Sequence, residues 1–558
     1  MKKINRYVYW YAVLALTVPN VALCFSERLS LTASLANVLL PMGIYMLLMS
    51  LARKTGRMVW WLFILVFFGA FQIVLLYLFG KGVIAVDMFL NLVTTNPGEA
   101  MELLDNLIPG VASVFVLYLP LLVLSVVALR SKQACPLTAS ERKNYRRGGA
   151  GISGVGTVCL LAALSSPAYH VLCDLYPLNA FYNLYLAVKR NAASNNYQEA
   201  SAAYRFHAKP THPADSAEVY VMVIGETARS MNFSLYGYRR DTNPLLSKTR
   251  GLIRFSDVTT QSNTTHKSVP MLLSAASATD FERLFHEKGI LAAFREAGFH
   301  TVFLSNQMPN RSFIDFLGEQ ANQWLFLKTG DCNGEGRQLA EEANANGNDG
   351  KHYDGDLLPL LDRVLSKGRK KEFIVLHTYG QHFNYQERYP RRMAHFKSDA
   401  RCEAKAENRN DLVNAYDNAV RYTDFVLHGV IARLQRKGCM AAMLYTSDHG
   451  ENIFDDAHQL FLHASPRASE YELRVPLLVW TSDTYRQAEP QTCQALQSNQ
   501  RKQVQSSRSA FHTMLQMGGV KTPVFKEQAS LASTHYQSAP LLYLNDHNKA
   551  IPQSQCGF

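Results

Sequence analysis

The first third of this 558-residue chain carries apolar runs that no ordinary soluble domain can accommodate. They fall near 7–25, 31–51, 59–79, 107–129 and 149–172, each close to the ~20 residues a helix needs to cross a bilayer. Such a segment must satisfy its own backbone, so inside a membrane it has to be a helix. The first run follows Lys2 and Lys3 as a secretion signal would, but it lacks a small-residue cleavage site and four further runs come after it. Five membrane spans are expected.

Charge gives the orientation. Lys2, Lys3 and Arg6 precede the first run, and Arg53, Lys54 and Arg57 separate the second from the third. Arg130, Lys132, Arg142, Lys143, Arg146 and Arg147 separate the fourth from the fifth, while the alternate loops hold little beyond Arg28 and Lys81. Basic loops stay in the cytoplasm, so the N-terminus is inside and everything after the fifth run is outside. Much of the net charge of +12 has this origin. With no zinc finger, helix-turn-helix or basic-aromatic stripe, nucleic acid is excluded as a partner. A basic exterior suits anionic lipid headgroups instead. Of nine cysteines, Cys332, Cys402, Cys439, Cys493 and Cys556 lie in the outer portion, where disulfides can form. Their number is odd, so at least one is free or pairs with Cys173. No CxxC pair exists to make a cysteine metal site.

Between the third and fourth runs, Asn96-Pro97-Gly98-Glu99 reads as a helix start within an outer surface loop at 88–104. The aromatic stretch 174–188, ending in Lys189-Arg190, is either an interfacial helix or a helix packed on its own domain. A polar bridge, 191–216, leads to a globular region starting near Glu218. There, strand-like runs at 219–224, 301–305, 372–377, 442–447 and 475–481 alternate with helical patterns at 281–297, 356–365 and 411–436. The alternation predicts a mostly parallel α/β sheet with helices on both faces. The Asn- and Gly-rich stretch 335–350 is expected to be a mobile surface loop. The resulting division is 1–172 for the membrane, 173–217 for an interfacial helix and linker, and 218–558 for a catalytic domain.

Ligands of such sheets gather at the carboxyl ends of the strands. The run 441–445 leads into Asp448-His449-Gly450-Glu451, and 219–224 into Gly225-Glu226-Thr227. Glu226, Asp448 and His449 converging on one rim form a mixed oxygen and nitrogen set that suits Zn2+, with manganese or magnesium disfavoured by the imidazole. A hydroxyl-rich segment, 259–270, follows a strand-like stretch and includes Thr264, Thr265 and Ser268. A helix starting there would aim backbone N–H groups at an anion, and metal would lower the pKa of a hydroxyl and make it a nucleophile. Capping of that helix is the plainer role for the same hydroxyls. His377, His382 and His463 fall on loops after strand-like runs, where they could bind a phosphate or a second metal.

Together these motifs resemble the phosphoethanolamine transferases of Gram-negative inner membranes, within the alkaline phosphatase and sulfatase superfamily. The resemblance rests on Gly225-Glu226-Thr227-Ala228-Arg229-Ser230, Tyr236-Gly237-Tyr238, Thr242-Asn243-Pro244 and Thr265-His266-Lys267-Ser268-Val269-Pro270. His377-Thr378-Tyr379-Gly380-Gln381-His382, Tyr389-Pro390, Ser447-Asp448-His449-Gly450-Glu451 and Leu462-His463-Ala464-Ser465-Pro466 complete it. It implies zinc held by Glu226, Thr265, Asp448 and His449, with Thr265 as nucleophile. It places His382 and His463 at the phosphate or a second zinc, and His377 and Asn306 toward substrate. The implied donor is phosphatidylethanolamine, the acceptor lipid A or another surface glycan, and the implied location has the catalytic domain in the periplasm. Two departures leave the acceptor open. Gln261 and Met271 stand where lipid A transferases often carry a disulfide, and the segment Ser305–Arg311 lacks the family's lysine, with Arg311 in its vicinity. The rival readings are a phosphoglycerol transferase of the lipoteichoic-acid-synthase type and a sulfatase-like phosphodiesterase. For the latter, Ser268-Val269-Pro270-Met271-Leu272 half-matches a formylglycine signal but puts Leu272 in place of the arginine.

Overall fold

The computed structural model describes residues 2–27, 29–79, 82–94, 97–166, 169–346, 351–399, 402–457, 459–465 and 468–556. It divides into two compact units, one of Met1–Val93 with Glu99–Arg190, the other of Thr94–Gly98 with Asn191–Phe558.

The first unit is helical: α1 (Ile4–Ser26), α2 (Leu31–Met49), α3 (Thr55–Trp61), α4 (Phe63–Phe79), α5 (Val86–Thr94), α6 (Pro97–Arg130) and α7 (Ala139–Ala163). The surface loop expected at 88–104 is therefore taken up largely by the end of α5 and the start of α6; Pro97 opens α6, and Asn96 lies outside the described residues. Among the described residues, α1, α2 and the 108–130 part of α6 are long and apolar enough to cross a membrane. The pair α3 and α4, bent by 64°, adds a fourth crossing if counted as one span. The fifth expected run falls largely on α7, whose first turns lie in the basic loop and lower its mean hydropathy. Its glycines have another use. A Cβ on Gly43 would strike Ser153, and one on Gly156 would strike the Leu40 backbone. Small residues thus let α2 and α7 approach closely, a common basis of helix association in membranes. The buried Asn20 donates to the Asn37 and Tyr176 carbonyls at 2.8 and 2.7 Å, and the Asn37 side-chain oxygen accepts from the Tyr176 N–H at 2.9 Å. Helix α8 (Leu178–Asn195) covers most of the aromatic stretch and leaves Leu178, Phe181, Tyr185 and Val188 exposed along one stripe, as an interfacial helix does.

The second unit is built on a seven-stranded sheet. Its strands are β1 (Glu218–Gly225), β2 (Leu252–Arg254), β3 (His300–Ser305), β4 (Gln323–Phe326), β5 (Lys371–His377), β6 (Met440–Ser447) and β7 (Leu477–Thr481). They lie in the order β2-β7-β6-β1-β5-β3-β4. From β6 to β4 every pairing is parallel, and β7 runs antiparallel to both β6 and β2. Strands β1, β5 and β6 are buried along their whole length, as parallel strands covered on both faces must be. The stretch 335–350 is not the loop expected: Arg337–Asn346 is helical, because its Ala and Glu content favours helix, and 347–350 lie outside the described residues.

Register is what positions the chemistry. Gly225 pairs with Ser447 and Ile224 with His377, while Ser305 pairs with His377 on the far side of β5. Four strands therefore stop at one level, and the residues that follow them share a rim.

Replacing Gly156 by Leu should force α7 away from α2 at a cost of about 1–3 kcal/mol, as overpacking does. Gly154→Leu, where nothing lies within 4 Å, should leave the thermal midpoint in detergent near wild type. Equal midpoints for the two variants would mean the helices do not pack this way.

Candidate metal and nucleophile centre

Helix α9 (Thr265–Leu273) begins at Thr265, so that hydroxyl sits in the first helical turn beside N–H groups without intrahelical partners. Its Oγ1 lies 3.0 Å from His449 Nε2 and 3.1 Å from Glu226 Oε1. His449 Nε2 is in turn 3.4 Å from Glu226 Oε1 and 3.2 Å from Asp448 Oδ2. One ligand atom each from Glu226, His449 and His463 lies within 4.8 Å of the others, and the His449 and His463 rings are 4.2 Å apart.

Each group is fixed from behind. The His449 Nδ1–H donates to the Gly450 carbonyl at 2.9 Å, which leaves Nε2 as the converging lone pair. Asp448 Oδ1 accepts from the Thr227 and His449 N–H groups at 3.0 and 2.7 Å, whereas its buried Oδ2 meets no donor. The Gln307 amide spans Glu226 Oε2 and the Thr378 carbonyl at 3.0 and 2.9 Å. His463 Nδ1 contacts Glu451 Oε1 at 3.0 Å. Its loop is tied to the nucleophile segment, because the Ala464 N–H donates to the Asn263 carbonyl and Asn263 Nδ2 donates to Ser465 and Glu472.

The backbone is shaped for this approach. Thr227 has φ of 63°, an unusual value for a β-branched residue. It is held there by Asp448 Oδ1, Glu226 Oε1 and the Tyr416 hydroxyl. At Gly380, φ is 49° and an added Cβ would lie 2.8 Å from the Glu226 nitrogen. The missing Cβ lets the loop after β5 seat directly on Glu226, where the Gln381 N–H donates to the Glu226 carbonyl at 2.9 Å.

The electrostatics favour a cation. Glu226 and Asp448 are at most 1% exposed. Burial, then the neighbouring Asp448, pushes the Glu226 carboxyl up to about 7, and burial pushes Asp448 up to about 7. Burial also pushes the His449 imidazole down to about 4 and lowers His463. Charged carboxylates and neutral imidazoles are the ligating forms, and a divalent ion would favour both. A buried carboxylate oxygen without a donor, beside imidazole nitrogens oriented from behind, fits zinc.

The structure does not bring every predicted residue here. His382 is near: its ring is 5.9 Å from that of His463, and its Nδ1–H donates to the Phe383 carbonyl at 2.6 Å. His377 stays inside the sheet, with Nδ1 3.1 Å from the Ser305 hydroxyl and Nε2 buried without a partner. Asn306 turns away to Asp354 at 2.8 Å; Asp354 also accepts from the Tyr379 and Gly380 N–H groups, so Asn306 braces that loop. Its neighbour Gln307 is the one that reaches Glu226. Sequence reasoning missed the roles of Gln307 and Glu451, and it missed a lysine. The segment Ser305–Arg311 has none, but Lys328, just past β4, places Nζ 3.3 Å from the centre of the Tyr379 ring, which stacks on His382 at 5.2 Å. Arg388 covers the same ring at 4.0 Å. Parallel strand order could have suggested Lys328, since β4 adjoins β3. The described cysteines are all free, including those of the outer portion.

A family model described as Sulfatase matches residues 218–520. The Kdo(2)-lipid A phosphoethanolamine 7''-transferase of Escherichia coli (strain K12) is 31% identical over 309 residues, 54% of this chain and 51% of that protein. The chain thus spans about half the length of the curated relatives it matches. The integral membrane protein lipooligosaccharide phosphoethanolamine transferase A (EptA) from Neisseria meningitidis shares the fold over 95% of this chain and 98% of that one, with a TM-score of 0.72 at 20% identity. The C-terminal periplasmic domain of EcEptC from Escherichia coli, solved in complex with Zn, covers 63% of this chain and 96% of its own, with a TM-score of 0.54 at 21% identity.

Metal binding should depend on pH in a defined sense. Without a cation, Glu226 and Asp448 keep protons to higher pH in the fold than in the unfolded chain. They therefore contribute stability below the usual carboxylate range that is lost as pH rises through about 7. A bound ion displaces those protons, so the thermal gain on adding zinc should be small near pH ~5 and grow toward pH ~8. A gain that is flat or shrinks with rising pH would contradict the ligand set. Separately, Gln307→Ala should weaken zinc affinity about 10–100-fold, as loss of an outer partner of a ligand does, read by competition with a chromophoric chelator.

Proposed function

The chain belongs to the sulfatase family, and we propose that within it the chain is a phosphoethanolamine transferase that moves phosphoethanolamine from phosphatidylethanolamine to lipid A or another surface glycan. One observation carries the reading: the Thr265 hydroxyl lies 3.0 Å from His449 Nε2 and 3.1 Å from Glu226 Oε1, within a buried ligand set at a helix N-terminus. Glu226, Thr265, Asp448 and His449 would hold zinc, with His463 close enough to join them. When bound, the ion supplies positive charge that acidifies the Thr265 hydroxyl and offsets charge on a phosphoryl oxygen.

The residues divide the remaining work. Thr265 Oγ1 forms a bond to phosphorus while the bond from phosphorus to the glycerol oxygen breaks, and that oxygen takes a proton and leaves as diacylglycerol. A phosphate or hydroxyl of the acceptor then attacks the phospho-threonine, and Thr265 regains its proton. The first N–H groups of α9 face the phosphoryl oxygens. Nδ1 of His382 is committed to a backbone carbonyl, which leaves its Nε2 to carry a proton, while His463, with Nδ1 on Glu451, stands beside the ligand set. Lys328 and Arg388, stacked over Tyr379, add positive charge behind His382. His377 and Asn306 support the surrounding loops in this reading. Residues 1–172 form the membrane domain, 173–217 the interfacial linker and 218–558 the catalytic domain, placed in the periplasm of a Gram-negative inner membrane where donor and acceptor lipids meet.

Purified full-length protein incubated with phosphatidylethanolamine and zinc should gain a phosphoethanolamine adduct by intact mass and release diacylglycerol. Thr265→Ala should do neither, with kcat lower by about three orders of magnitude or more, as removal of a nucleophile implies. An adduct formed from phosphatidylglycerol instead would replace this donor with a phosphoglycerol one. An adduct that persists in Thr265→Ala would reassign the nucleophile.

A further inference from the structure

A second built site lies at the basic end of the helical unit. A cavity of about 900 Å³ is lined by Arg53, Arg142, Lys143, Arg146 and Arg147. Leu47 of α2 and Ala150 of α7 continue its wall along both helices. Basic loops alone would satisfy the insertion rule as solvated side chains. Three features go beyond that.

The loops border an open groove in which Arg142 is half-buried and Arg53, Lys143, Arg146 and Arg147 are exposed; the Leu137 N–H donates to the Arg53 carbonyl at 2.9 Å, and α2 and α7 pack closely at Gly43, Gly149 and Gly156. The nearby acid is already committed: Glu141 accepts from the Thr138 N–H at 2.8 Å in the cap of α7 and pairs with Arg6. Among the described residues, none of the five basic groups has an acidic partner, and the buried Arg142 Nε has no hydrogen-bond partner at all. Five cations without an acidic partner thus share one groove where the apolar helices end, and Arg142 carries the one buried, unpartnered nitrogen among them.

We propose that this cavity binds the phosphate headgroup of an anionic phospholipid of the cytoplasmic leaflet, with acyl chains running along α2 and α7. Basic pockets between membrane helices on that side recognise such lipids. Arginine forks match phosphate oxygens in paired hydrogen bonds, and the number of basic groups suits the two phosphates of cardiolipin better than the one of phosphatidylglycerol. A zwitterionic headgroup brings its own cation and gains less. The site is separate from the centre at Thr265, and its test does not depend on transfer activity.

Native mass spectrometry of the full-length protein in detergent, with cardiolipin, phosphatidylglycerol and phosphatidylethanolamine each titrated, reads the binding directly. Cardiolipin should be retained most strongly and phosphatidylethanolamine least. Arg142→Gln with Arg146→Gln should weaken cardiolipin at least about tenfold, at the usual gain per basic group near anionic lipid. Arg130→Gln with Lys132→Gln removes the same charge from the same loop outside the cavity, and should leave affinity unchanged. Ala150→Trp keeps every charge but fills the cavity, and should also lose the lipid. Equal loss in both double variants, no loss on filling the cavity, or equal retention of phosphatidylethanolamine would each overturn the proposal.

Discussion

Two carboxylates buried side by side govern the second unit. Glu226 and Asp448 lie in a place from which water is excluded, flanked by imidazoles that burial keeps neutral, and each is pushed up to about 7. Removing two like charges from water is costly unless a cation compensates them. The surroundings are built to hold that arrangement rather than relieve it: backbone N–H groups fix Asp448 Oδ1, Gln307 fixes Glu226, and Asp448 Oδ2 is left facing inward without a donor. A divalent cation would compensate both carboxylates at once.

Everything near it can be read as a device for delivering those groups. The parallel register brings β1, β5, β6 and β3 to a common level. Gly380 allows the loop after β5 to press on Glu226, and Thr227 accepts an unfavourable φ under three hydrogen bonds. Asn263 and Glu472 link the His463 loop to the start of α9, so Thr265 and His463 are held by one hydrogen-bonded network. The Tyr379 ring, under Lys328 and Arg388, carries positive charge to the edge of His382 without an added charged ligand.

In the helical unit the same economy appears in apolar form. Glycine replaces bulk where α2 meets α7, and buried asparagines satisfy backbone carbonyls where no water is available. A helix polar at its start and small-residue-rich along its contact face is the outcome for α7. Its sequence serves packing on a neighbour as well as contact with lipid.

Local sequence determined the elements and the candidate site: apolar runs long enough for a membrane, alternating strands and helices, and Glu226, Thr265, Asp448 and His449 at the points where strands end or a helix begins. These are legible because periodicity and chain termini of elements act over a few residues. Tertiary structure alone decided which side chains turn toward the centre. Asn306 and Gln307 are adjacent in sequence, yet one braces Asp354 and the other holds Glu226. His377 carries a metal-type side chain but is kept in the sheet beside Ser305, while Lys328 arrives from a strand that no local motif marks. Side-chain direction at a strand end depends on which strand lies alongside and in what register, and that pairing is a long-range property fixed only when the sheet closes.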